Sequence, residues 1–147
     1  VKSPVSSTSS YRFYYPSTWS IKEYKNTPKA DDKGVSTLIL TKGKSTISII
    51  QSTSGANMAC LYPSDPDQEA NNFKFSDFVG FNKDLAIWRS GTIQQADASL
   101  NYIVCEENTS GGFFTNTKIG EISASGLVNP KEVEEFNYML EKIVILP

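Results

Sequence analysis

The sequence predicts a single α+β domain, a central antiparallel sheet of roughly five to seven strands with a C-terminal amphipathic helix. Three observations predict it. Short alternating apolar segments, separated by turn residues, run through most of the chain. One hairpin stands out, VSTLILTK–GK–STISIIQS, with β-branched residues in both arms. Near the end the apolar spacing changes from two to three and four residues. With 147 residues, 39% of them apolar and 20% charged, the chain can build one core.

The elements follow in order. Residues 1–10 read VKSPVSSTSS, without periodicity and rich in Ser and Thr. They read as a flexible lead-in or tether ahead of the domain proper, residues 11–147. In YRFYYP, alternation puts Tyr11, Phe13 and Tyr15 on one face of a strand, with Arg12 and Tyr14 on the other. Pro16 stops the ladder. Trp19 and Ile21 then resume toward the core, with Ser20 and Lys22 outward. KNTPKADDKG is a polar loop. The hairpin turns at Lys42-Gly43-Lys44-Ser45, where Gly43 permits positive φ. Its apolar residues lie on both faces, so it should be central and covered on both sides. SGANMACL reads as a short helix or a loop, and Ser76 or Asp77 as the cap of a short helix through Val79, or as part of an irregular segment. DLAIWRSG and ASLNYIVCEE are two further strands, and FFTNTKIGEISASG is one or two more. Asn129 caps the closing helix, with Pro130 at its first position and Glu132, Glu134 and Glu135 in its early turns. Val133, Phe136, Leu140 and Ile143 form its apolar stripe.

Composition narrows the function. Net charge is −2, from 14 basic and 16 acidic residues, so no nucleic-acid footprint appears. No apolar run approaches the length of a membrane-spanning helix. Histidine is absent, which removes Ser-His-Asp and Cys-His catalysis and His-ligated zinc. There are 19 Ser, 11 Thr and ten Asn, a hydroxyl- and amide-rich composition that points outside the cytoplasm. The sequence starts at Val1 rather than Met, which suggests a removed upstream segment such as a signal peptide or anchor. Cys60 and Cys105 are one disulfide in an oxidising compartment, or two buried thiols in a reducing one. Neither lies in a CxxC pair.

The segment Phe13, Tyr15, Pro16, Trp19 and Ile21 fits the pattern F-x-Y-P-x-x-W-x-I. With the closing helix, V-x-x-F-x-x-x-L-x-x-I at Val133, Phe136, Leu140 and Ile143, it resembles PsbP-like domains, a family that includes bacterial secreted and lipid-anchored proteins. The resemblance implies an antiparallel sheet between helical layers, an α/β/α sandwich. It also implies a non-enzymatic extracytoplasmic domain that docks on a larger assembly.

Candidate chemistry is sparse. Asp65, Asp67 and Glu69 space carboxylates as calcium loops do, but Ala70 and Ser76 stand where an EF-hand needs Gly and Glu. Asp31-Asp32 and Glu106-Glu107 are paired in sequence only. Asn108-Thr109-Ser110 is a sequon, read here as a turn. No nucleophile elbow, phosphate loop or dinucleotide fingerprint occurs. Aromatics remain. Tyr14 and Trp88 are either core under a helix or a binding surface, and Phe113-Phe114, after Gly111-Gly112, are either packed or partly exposed at a loop tip. The expectation is therefore a non-catalytic accessory module without cofactor or metal. It would dock on a protein partner at the cell surface and be membrane-tethered through an N-terminal anchor. The alternative is a small-molecule or glycan-binding module with a cleft between sheet and helix. A flat apolar patch would favour the protein partner, and a concave aromatic groove the glycan or small ligand.

Overall fold

Alternation along the chain becomes strands that pair antiparallel throughout the described residues. The computed structural model describes residues 1–53, 74–76, 81–82, 84–93, 99–107 and 114–147. The strands are β1 (Tyr11–Arg12), β2 (Ser20–Thr27), β3 (Val35–Lys42), β4 (Ser45–Ser52), β5 (Lys74–Ser76), β6 (Phe81–Asn82), β7 (Leu85–Ile93), β8 (Leu100–Glu107), β9 (Phe114–Asn116), β10 (Glu121–Leu127) and β11 (Val144–Ile145). The helix α1 spans Pro130–Glu141. The main sheet runs β2-β3-β4-β10-β8-β7-β5, with β6 also on β7 and β9 also on β8. A two-stranded ribbon, β1 with β11, joins the two ends of the chain. The result is a single α+β domain with an antiparallel sheet and one α-helix among the described residues.

The hairpin forms as its sequence predicts. Val35–Lys42 pairs with Ser45–Ser52, and Gly43 takes φ 58° in the two-residue turn. Register then builds the core. Leu38, Ile49, Ile122 and Val104 stand side by side across four strands, and Leu40, Ile47, Ala124 and Tyr102 form the next row. All eight are buried. Helix α1 supplies the other layer through Phe136, Met139 and Leu140, with Ile143 just beyond it, all buried. Phe136 stacks on Tyr102, ring centroids 6.2 Å apart. The Asn129 side chain accepts from the Glu132 backbone N–H at 3.0 Å, and Pro130 opens the helix. Gly120 (φ 109°) precedes β10 and Gly126 (φ 72°) lies near its end, and a Cβ at either would collide with the backbone carbonyl of Ile50 or Lys44.

Three expectations need correction. Residues 1–10 are not a loose lead-in. Val5 is buried, Ser6 donates through N–H and hydroxyl to Asp32 (2.7 and 2.6 Å), and Ser9 O accepts from Gln51 Nε2 at 2.7 Å. The hydroxyls that look like linker composition are used as local hydrogen-bond partners. Ser76 ends β5, which pairs with Arg89–Gly91 of β7, and the segment it was expected to cap, residues 77–79, lies outside the described residues. The hairpin is buried on one face only. Thr37, Ile39, Thr41, Thr46, Ser48 and Ile50 on the second face are half-buried, and the hydroxyls of the four Thr and Ser residues tolerate that position. Alternation also fails after Arg12, where β1 ends: Tyr11 is buried, Phe13 half-buried and Tyr15 exposed, and Ile21 is exposed beside a register shift in β2. SGANMACL and residues 77–79 lie outside the described residues.

Candidate binding surface

Pro16 and a single glutamate build the surface. Beyond β1 the chain leaves the sheet, and the Trp19 N–H closes a tight turn on the Pro16 carbonyl at 3.0 Å. That turn aims Thr18 and Trp19 at α1. Glu135 there accepts from the Thr18 hydroxyl (3.0 Å), the buried Trp19 indole (2.9 Å) and the Lys42 ammonium (2.6 Å). Burial pushes the Glu135 carboxyl up, but the bonds from Lys42, Trp19 and Thr18 and the Lys42 charge outweigh it, holding it below the usual carboxylate range. One carboxylate therefore fastens the 13–19 segment to the helix.

The fastening leaves a groove of about 600 Å³ between segment and helix. Tyr14, Tyr15 and Pro16 line one side. Lys131, Glu134 and Tyr138 line the other, spaced at three, four and seven residues so that they share one face of α1. Tyr14 is 47% exposed, Tyr15 38% and Tyr138 48%. Lys142 Nζ lies 5.6 Å from the Tyr138 ring centroid. Tyr15 also borders a second pocket of about 380 Å³ at the β2 edge.

The sequence candidates are distributed unevenly over this picture. Tyr14 lies at the groove and not in the core, because the chain has already left the sheet. Trp88 pairs with Cys105 across β7 and β8, and Phe114 with Glu107 across β9 and β8. The side chains of Trp88 and Phe114, together with Phe113, Cys60, Asp65, Asp67, Glu69 and the sequon, lie outside the described residues. Cys105 is fully buried, and no cysteine among the described residues is a free thiol. Asp32 is engaged by Ser6, and Glu106 accepts from the Lys118 backbone N–H at 2.9 Å. No cluster of three or more metal-ligating side chains occurs among the described residues, and no helix there is long and apolar enough to cross a membrane. Tyr15, Glu135 and Tyr138 escaped sequence reasoning. Tyr138 did carry a signal, as a large aromatic off the apolar stripe of α1. Comparison with family models, curated proteins and solved structures gives no match for this chain.

Proposed function

We propose that the chain is a non-catalytic extracytoplasmic binding module whose tyrosine-lined groove holds a glycan. The observation that carries this reading is the shallow groove that brings Tyr14 and Tyr15, on a segment that Glu135 fixes, together with Tyr138 of α1, all three partly exposed. A tyrosine ring presents a flat apolar face with little side-chain entropy to lose, and its hydroxyl stays wet. The C–H face of a sugar ring stacks on such a surface, while Lys131 and Glu134 offer partners to its hydroxyls. The groove is shallow and open, and its three clustered tyrosines rather than its depth favour this occupant. The hydroxyl-rich composition and a Cys60–Cys105 disulfide, supported by the buried Cys105, fit an oxidising compartment. The resemblance to PsbP-like domains, with its sheet between helical layers and its non-enzymatic role, belongs to the same proposal.

Affinity electrophoresis in gels containing neutral or acidic polysaccharides tests it. Retardation should appear with at least one polymer and fall roughly tenfold in affinity in a Tyr14→Ala/Tyr138→Ala variant, a loss of about 1.4 kcal/mol. Equal migration in every gel would return the groove to a protein partner.

A further inference from the structure

Strand β2 stands at one end of the main sheet. It pairs with β3 on one side and with no strand on the other among the described residues, and no other backbone hydrogen bond among them reaches it. Its outer edge therefore carries a row of unpaired N–H and C=O groups. Lys22, Tyr24, Lys25 and Thr27 are exposed along it. The two faces of the strand differ. Ile21 opposes Leu40 and Tyr24 opposes Leu38, so both stand on the core face, yet they are 48% and 50% exposed because the sheet ends beside them. Glu23 opposes Ile39 and Lys25 opposes Thr37 on the second face, where the two form an ion pair at 2.9 Å. A bulge at Lys22 leaves Glu23–Thr27 as the regular stretch.

We propose that β2 is the contact of a two-fold dimer, in which a second copy of this chain adds its own β2 antiparallel to the free edge. Charge complementarity selects this occupant and its register. A two-fold axis perpendicular to the sheet matches core face with core face only when it passes through a residue position, because a one-residue slip inverts every side chain. Centred on Glu23, it sets two glutamates opposite each other, and centred on Lys25, two lysines. Centred on Asn26 or Thr27, it draws Pro28, which has no N–H, into the ladder. Centred on Tyr24, it sets Glu23 of each copy against Lys25 of the other. The two in-strand ion pairs then form a square of alternating charge on the second face. On the core face the two Tyr24 rings stand side by side and cover the exposed strip. Such a contact is closed, because it consumes the edge that makes it. The pairing stretch is short, so the dimer belongs with weak interfaces. It does not depend on the neighbouring groove binding glycan.

Sedimentation equilibrium on the full chain, from about 10 μM to about 1 mM, tests the proposal. The chain should associate to a dimer, and more weakly as salt rises. Glu23→Lys and Lys25→Glu should each weaken dimerisation roughly tenfold or more, because only like charges then meet across the axis. An equimolar mixture of these two variants should recover it, and so should Glu23→Lys/Lys25→Glu in one chain, since both arrangements oppose unlike charges again. A variant that had simply misfolded would not be rescued by mixing. Tyr24→Ala should weaken the dimer roughly fivefold. A monomer at every concentration would overturn the proposal. So would single charge reversals that dimerise as the parent does, or a mixture that fails to recover.

Discussion

Glu135 shows how one side chain can organise a surface. Its three donors come from the 13–19 segment and from β3, and the Thr18 and Trp19 bonds span 117 and 116 residues of sequence. Its carboxyl is held below the ordinary value, so the native state binds its proton less readily than the unfolded chain. The stability it supplies is complete above the unfolded value, about pH 4.3 for glutamate, and is lost as pH falls through the lower folded value. Glu135→Gln should cost about 1–3 kcal/mol at neutral pH, the range for hydrogen bonds to a half-buried carboxylate. Urea titrations followed by tryptophan fluorescence should show the gap between variant and parent closing below about pH 4. A gap of constant size would mean that the charge itself contributes nothing. Glu121 works in the opposite sense. Burial raises its carboxyl, and its Oε1 has no hydrogen-bond partner among the described residues. It therefore binds its proton more readily in the native state, and its penalty is relieved as pH falls through the raised value.

At the scale of elements, α1 is what separates a covered sheet face from an open one. Phe136 sits against Tyr102 in the middle of the β10–β8 region and is 1% exposed. Phe136→Ala should cost about 3–5 kcal/mol if the site cannot collapse, measured by denaturant unfolding. A loss under about 1 kcal/mol would make the helix peripheral. The hairpin and this helix were legible in the sequence because their signals are local: a glycine turn between alternating arms, and a capped stripe at helical spacing. The helix also buries Glu132 and Met139, which the stripe did not include. Glu132 has the Ser45 hydroxyl and the Val128 N–H as partners. The groove was not legible, since Tyr15 and Tyr138 meet only through the fold. Alternation put Tyr15 with Tyr11 and Phe13, but β1 pairs for only two residues before Pro16 and the Glu135 contact redirect the chain.

For the whole molecule, the two ends of the chain and its cysteines decide how the domain is held together. Residues 1–10 bring Val5 into the core, bond Asp32 and Gln51, and lead into the β1–β11 ribbon. Deleting them should cost about 2–4 kcal/mol and lower the melting temperature by several degrees. An unchanged melting point in calorimetry would restore the tether reading. The proposed bridge acts at the same scale. Cys105 lies in β8, opposite Asn116 of β9 and Trp88 of β7, and is fully buried. A bond to Cys60 would close a loop of about 45 residues across the part of the chain with the least regular sequence. In the chain-entropy model such a loop contributes roughly 4 kcal/mol, acting on the unfolded state. The oxidised chain should weigh about two daltons less than the dithiol. Cys60→Ser/Cys105→Ser, or full reduction, should lower the urea midpoint by an amount matching roughly 2–4 kcal/mol. An intact mass equal to the dithiol after purification without reductant would leave two free thiols, the buried Cys105 behaving as a small hydrophobe. The extracytoplasmic reading would then stand on composition and the proposed glycan binding alone.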